Sequence, residues 1–217
     1  MRPPRFWHRP AGWQAALLAP LAAVWAASSR RRLAKVTPYA PGVPVICVGN
    51  INAGGTGKTP ASIALLLRLS GKGAHVLSRG YGGRITGPHR VDERRDTARD
   101  VGDEPLLMAA FAPVWVGRDR VASAKAAVAA GAKILILDDG FQNPSLLKTL
   151  SIVVVDAEIG FGNGKVMPAG PLREPIATGL SRADMVLSIG ADAAQNTLLA
   201  REPLLAHVPR AQGHLAP

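Results

Sequence analysis

The stretch GNINAGGTGKTPAS, from Gly49 to Ser62, has the residue types that grip a polyphosphate. Such a loop needs backbone N–H groups converging on an anion and glycines that turn without a clashing Cβ. It also needs a lysine for the outer phosphates and a hydroxyl for a divalent cation. Gly54, Gly55 and Gly57 supply the turns, Lys58 the charge and Thr59 the hydroxyl. The strict pattern has glycine where this chain has Asn52, so it fails by one residue. The loop nonetheless follows an apolar run, VPVICV (43–48), and opens a helical pattern, Lys58–Ser70, a context that a chance Gly-Lys-Thr lacks. The expected ligand is a nucleoside triphosphate held by Asn52, Ala53, Gly54, Gly55, Thr56, Gly57, Lys58 and Thr59. A glycine-rich turn without a ligand is the plain alternative.

Nucleotide loops of this type work with an acid at the end of a neighbouring strand, which holds or orients Mg²⁺. KILILDDGFQN offers Asp138 and Asp139 directly after an apolar run. Thr59, Asp138 and Asp139 are therefore the candidate Mg²⁺ group, against an aspartate pair that merely caps a turn. Cys47, the single cysteine, sits inside a strand-like run and reads as a small buried hydrophobe. One cysteine builds neither a disulfide framework nor a cysteine metal site.

The elements that would position these groups alternate. Strand-like runs are VPVICV (43–48), AHVLS (74–78), APVWV (112–116), KILIL (133–137), SIVVVD (151–156) and DMVLSI (184–189). They are short, apolar and rich in Val and Ile, as strands buried on both faces should be. Helical compositions lie between them at Lys58–Ser70, Glu104–Phe111 and Arg120–Ala130. This alternation predicts an α/β fold of the P-loop NTPase type, a mostly parallel sheet with helices on both faces. Two stretches break the rhythm. RITGPHRVDERRDTARDVG (84–102) reads as a polar excursion or β-hairpin, and FGNGKVMPAGPLREP (161–175) as a loop shaped by Gly and Pro. No further recognisable unit follows Ala191.

Apolar residues make up 47% of the 217, which excludes a disordered chain. Net charge is +11, and seven basic residues with no acid fall in the first 35 positions. They flank an apolar segment, AGWQAALLAPLAAVWAASS, that carries Trp13 and Trp25. Basic and aromatic edges around an apolar helix favour a membrane surface over nucleic acid. Ala11–Ala27 is short for a spanning helix and contains Gln14 and Pro20. A membrane-associated helix, a cleaved signal peptide and a helix packed on the domain remain the three readings. The expected division is a docking helix over 1–36, a P-loop domain over 37–190, and a tail or the start of a second lobe over 191–217.

The motifs VGNINAGGTGKTP, SRGYGG, GDEP, DDGFQN and AGPLREP occur in this order. Together they resemble the tetraacyldisaccharide 4′-kinases of lipid A biosynthesis, over about residues 10 to 190. The resemblance implies an ATP- and Mg²⁺-dependent enzyme at the cytoplasmic face of the inner membrane of a Gram-negative bacterium. Its substrate would be a lipid disaccharide, phosphorylated on the 4′-hydroxyl, and its N-terminus would dock on the membrane. It implies that Asp103 of GDEP is the catalytic carboxylate, taking the proton of the attacking hydroxyl. The residues alone allow Asp103 equally well as a helix N-cap. By the same resemblance Arg120 and Arg173 lie near the phosphates or the substrate head group, where a guanidinium fork suits spread charge. Glu174, Arg79 and Tyr81 fall in matching motifs without assigned roles.

Two departures bear on the resemblance. The family usually has His after DDGFQ, whereas this chain has Asn143, which carries neither a proton nor a charge at neutral pH. Family members also continue into a second α/β lobe, whose histidine is thought to pair with the aspartate matching Asp103. The expectation is a folded nucleotide-binding lobe from a truncated gene product, a fragment or a divergent form. Two other functions stay open: a membrane-recruited P-loop ATPase or switch protein, and an ATP-binding lobe with little chemistry of its own.

Overall fold

The computed structural model describes residues 3–214; Arg2 of the basic stretch and the last three positions of the tail lie outside them. In chain order the elements begin with α1 (Trp13–Ala34), β1 (Val45–Gly49), α2 (Lys58–Arg68), β2 (Ala74–Ser78) and β3 (His89–Arg90). Then come α3 (Ala98–Val101), α4 (Asp103–Ala109), β4 (Val114–Val116), α5 (Arg120–Ala129) and β5 (Ile134–Asp138). The chain continues through β6 (Leu150–Asp156), α6 (Ile176–Leu180), β7 (Met185–Ile189), α7 (Asp192–Arg201) and β8 (Arg210–Gly213). Contacts group these into two compact units. The first holds Thr37–Gly49 and Lys58–Ser151; the second holds the stretch up to Val36, Asn50–Gly57, and the chain from Ile152. The glycine-rich loop thus passes from one unit to the other between Gly57 and Lys58.

In the first unit β1 pairs with β5, β5 with β2 and β2 with β4, all parallel. The strands are short and almost wholly buried: every residue of β2, and all of β5 after Ile134, is inside. That is why they read as continuous apolar runs rather than alternating ones. Val48 pairs with Asp138, and the Asp139 N–H donates to the Val48 carbonyl at 3.0 Å. The strand that feeds the loop and the strand that carries the acids therefore end side by side. The polar excursion resolves into β3, antiparallel on β4, and a helical turn, α3, closed by a reciprocal Thr97–Asp100 capping box. Cys47 is fully buried in β1, and burial pushes its thiol up to about 12, consistent with a packing role.

In the second unit β6, β7 and β8 are parallel neighbours. The sequence past Ala191 lacked a recognisable unit, yet α7 and β8 add a strand to β7. β8 reads Arg-Ala-Gln-Gly, with no β-branched residue, and its residues are half-buried or exposed. Its place is set by ladder bonds to β7, which side-chain composition does not report. Buried Gln195 ties α7 in, donating to the carbonyls of Ser188 and Gly190 at 3.0 and 3.3 Å.

The basic-apolar N-terminus forms α1, a helix that continues through Pro20. Ala15 and Ala22 are buried together with Ala169, with Leu18 and Val166 packed against them. On the opposite face Trp13, Leu17, Leu21 and Val24, at spacings of three and four, are exposed. The Trp7 and Trp25 indoles donate to the carbonyls of Pro168 and Arg173 at 3.1 and 3.2 Å. Among the described residues no helix is long and apolar enough to cross a membrane.

Candidate nucleotide and phosphoryl-transfer site

The loop between β1 and α2 is built differently in its two halves. In the second unit, Asn50 is fully buried and braces the loop from inside. Its Nδ2 donates to the Gly54 carbonyl at 3.1 Å and to Thr56 Oγ1 at 3.0 Å. Asn52, the residue that breaks the strict pattern, is also buried, and its Nδ2 donates to the Gly160 carbonyl at 2.9 Å. Its backbone pairs in antiparallel fashion with Leu172, and the Ala53 N–H donates to the Pro171 carbonyl at 2.6 Å. Asn52 has no positive φ, so glycine's freedom is not needed there; the amide group is. Gly57 has φ +83, and a Cβ on it would lie 2.7 Å from Ile189 Cδ1, so this glycine is required twice over. The Arg173 N–H donates to the Ile51 carbonyl at 2.7 Å, so the AGPLREP segment is stitched to the residues leading into the loop.

In the first unit the side chains that follow are charged or bear hydroxyls. Lys58 Nζ lies 3.7 Å from Asp139 Oδ1. Thr59 Oγ1 donates to Glu104 Oε1 at 3.1 Å. Asp138 is 2% exposed, and its Oδ1 accepts from Ser62 Oγ at 3.2 Å. Its pKa is pushed up to about 6, first by burial and then by the negative charges of Glu104 and Asp139; Lys58 and the Ser62 hydroxyl offset only part of this. A carboxylate held near neutrality in this way is short of positive charge. Asp139 has φ +47, a left-handed conformation that aspartate tolerates better than most side chains. Thr59, Asp138 and Asp139 each offer hard oxygen donors, of the kind Mg²⁺ takes rather than a soft metal. Among the described residues no group of three or more His, Cys, Asp and Glu side chains forms a metal cage. Mg²⁺ commonly takes its remaining ligands from water and substrate phosphates.

The other expected residues separate. Asp103 is exposed at the first turn of α4; the N-cap is Gly102, so Asp103 does not cap this helix. Arg120 is 4% exposed and donates to the carbonyls of Gly117 and Asp138 at 3.3 and 3.4 Å. Burial pulls its pKa down to about 10, with the nearby Asp138 charge opposing. It backs the acid-bearing strand end from within the core. Arg173 is half-buried, in the second unit, with both its backbone polar groups engaged. Glu174, buried beside it, pairs with Arg182. Asn143 accepts from the Ser145 N–H and hydroxyl at 2.8 and 2.6 Å, a turn role that needs no imidazole. Arg79 and Tyr81 are exposed just beyond β2.

Sequence reasoning missed Asn50, Ser62 and Glu104. Asn50 carried a signal, a polar residue at the mouth of a buried strand. Ser62, one helical turn after Thr59, carried the weaker one of spacing. Glu104 carried only its membership of GDEP.

Residues 14–217 match the sequence family described as tetraacyldisaccharide-1-P 4′-kinase. Proteins named tetraacyldisaccharide 4′-kinase from Dinoroseobacter shibae, Jannaschia sp. and Rhodospirillum centenum are 60%, 59% and 55% identical to the chain over all of its length. The chain spans 66%, 67% and 65% of those three proteins. A crystal structure of LpxK from Aquifex aeolicus, an "apo" form in complex with ATP, resembles this chain with a TM-score of 0.72 at 31% identity. The match covers 80% of this chain and 58% of that one.

Proposed function

The chain belongs to the tetraacyldisaccharide-1-P 4′-kinase family, and we propose on that footing that it carries the ATP-binding and phosphoryl-transfer apparatus of a lipid-sugar kinase. Its substrates are ATP and a tetraacyldisaccharide 1-phosphate, and it phosphorylates the 4′-hydroxyl. The observation that supports this most is the hydrogen bond from Thr59 to Glu104. It ties the GDEP motif to the phosphate-loop hydroxyl, with Asp103 one residue away.

The loop Asn52–Thr59 holds the triphosphate through its backbone N–H groups. Lys58 neutralises the outer phosphates, and Thr59, Asp138 and Asp139 hold the Mg²⁺. When bound, that ion offsets charge on the β- and γ-phosphates. Asp103 accepts the proton of the 4′-hydroxyl as its oxygen bonds to the γ-phosphorus. The bond from that phosphorus to the β-phosphate oxygen breaks, and ADP leaves. Arg173 meets the phosphates or the sugar head group, and Arg120 keeps Asp138 in place from behind. The direct check is transfer of labelled phosphate from ATP to the tetraacyldisaccharide 1-phosphate. Asp103→Ala should lower transfer by about a hundredfold or more, the usual range for a proton-transfer group, while ATP binding persists. ATP hydrolysis stimulated by lipid, without lipid phosphorylation, would instead favour the ATPase or switch reading.

The exposed stripe Trp13, Leu17, Leu21 and Val24 supports docking of α1 in the membrane interface, at the cytoplasmic face of the inner membrane. Arg30, Arg31 and Arg32 follow the stripe and suit anionic head groups. Co-sedimentation with anionic phospholipid vesicles tests this. Changing Leu17 and Leu21 to Ser should release the protein, and unchanged binding would remove the docking role.

A further inference from the structure

Resting on the readings that α1 docks at a membrane and that Arg173 meets the lipid's head group, we propose that Trp25 is the positioning residue that joins the two. Its indole fixes the Arg173 backbone from α1. The seat of α1 in the interface then sets where the guanidinium meets the phosphorylated sugar.

The residues involved all belong to the second unit. Three contacts fasten α1 and the turn before it to the 163–176 segment, in the same order along both. Trp7 bonds the Pro168 carbonyl, Ala15 and Ala22 are buried with Ala169, and Trp25 bonds the Arg173 carbonyl. Arg173 is pinned on its other sides as well. Its N–H donates to the carbonyl of Ile51, the residue before Asn52, at 2.7 Å. Leu172 before it is fully buried, and Glu174 after it is buried and paired with Arg182. These contacts fix Arg173 relative to the phosphate loop. The Trp25 bond differs in kind, because it fixes Arg173 relative to an exposed apolar helix face.

Trp25 follows Leu21 by four residues, so it carries the row Trp13, Leu17 and Leu21 one turn further. It is 46% exposed, against 59–73% for those three. Part of its ring thus stays on the outer face while its N–H is spent on the protein. An indole at a membrane interface keeps its apolar body toward the acyl chains and its N–H at head-group level. A carbonyl held by that N–H lies at the same level. The polar sugars of a lipid disaccharide lie there too while its acyl chains stay in the bilayer. Trp25 therefore brings Arg173 to the depth of the head group without the lipid leaving the membrane.

The test uses the full chain and two vesicles of equal surface charge: anionic phospholipid alone, and the same with tetraacyldisaccharide 1-phosphate replacing part of the anionic lipid. Binding to the plain vesicles reads docking, and the gain in affinity on the substrate vesicles reads the head group. Trp25→Phe keeps a ring and loses the donor. It should cut the gain about three- to tenfold, the worth of one hydrogen bond, while ATP affinity stays that of the original chain. Trp13→Phe makes the same exchange on the row and should weaken both vesicles in one proportion. Arg173→Lys should also cut the gain. Adding Trp25→Phe to it should cost little more, since the indole acts through the arginine. If the gain survives Trp25→Phe, or both vesicles weaken in one proportion, Trp25 is at most an anchor and the proposal falls. It falls too if the cost of Trp25→Phe is undiminished beside Arg173→Lys, or if that variant loses ATP as well. If Arg173→Lys leaves the gain intact, or the unaltered chain shows no gain, the head-group reading itself fails and takes this proposal with it.

Discussion

The two halves of the loop between β1 and α2 are held by different physics. Up to Gly57 the fastenings are neutral amides: Asn50 on Gly54 and Thr56, Asn52 on Gly160. From Lys58 onward they are charges and charge-linked hydroxyls: Lys58 with Asp139, Thr59 with Glu104, Ser62 with Asp138. Neutral hydrogen bonds keep their geometry across pH and salt. Charged groups answer to pH, the exposed ones to salt as well, and all of them to any cation that arrives. The lesson is a division of labour along one short segment. Shape comes from its first half and chemical response from its second, so the two should fail in distinguishable ways.

The largest effect is expected at the charged half. Lys58→Ala should weaken ATP binding at least about a hundredfold, because a positive charge aimed at polyphosphate has no substitute there. Isothermal titration reads this directly, and thermal stability should move little beside it. A shift confined to stability would contradict the division.

Next comes Asp138, whose raised pKa carries a sign. A carboxyl with a folded pKa of about 6 prefers its protonated form when folded. Its contribution to stability is complete below the unfolded value of 3.8 and is lost as pH rises through about 6. Asp138→Asn should therefore stabilise the nucleotide-free protein above pH 7 by up to about 3 kcal/mol, with the difference vanishing near pH 4. Cation binding needs the carboxylate, so Mg²⁺–ATP affinity of the original chain should fall as pH drops below about 6. The aspartate-to-asparagine variant should lose that pH dependence. Denaturation curves and titrations at several pH values check both.

In the neutral half, Asn52→Gly would restore the strict loop pattern and still do harm. It leaves the Gly160 carbonyl without its amide partner, at about 1–3 kcal/mol of stability, independent of pH between 5 and 8. A glycine variant as stable as the original would show that Asn52 is only tolerated. The smallest effect is expected from Glu104→Gln. Removing that charge lowers the Asp138 pKa, so Mg²⁺–ATP binding should persist to slightly lower pH, by a few-fold in affinity at pH 5.5. An unchanged pH profile would mean that Glu104 acts on Thr59 alone.

Much of this arrangement was legible beforehand because it is local. Lys58, Thr59 and the glycines before them are contiguous, and Asp138 and Asp139 follow their strand directly. The apolar runs that became β2, β5 and β6 announce themselves because both faces of a parallel sheet are covered. Arg120 shows where local reading stops. Its motif suggests a phosphate contact, but the fold turns its guanidinium inward onto the carbonyls of Gly117 and Asp138. β8 shows the same limit from the other side, since a strand held by ladder bonds at a sheet edge needs no apolar code.

By itself the sequence determined the chemistry on offer: a glycine-rich loop ending in Lys58 and Thr59, an aspartate pair behind an apolar strand, parallel strands to carry them, and the family they belong to. Only the tertiary structure decided which groups meet. Asn52 reaches Gly160 across 108 residues, and Thr59 reaches Glu104 across 45. Pairings at such separations leave no periodicity in the chain. They exist because burial of the strands brings loop ends together: buried Asn52 must then find a partner or destabilise the fold, whereas Thr59 and Glu104 meet where solvent still reaches them.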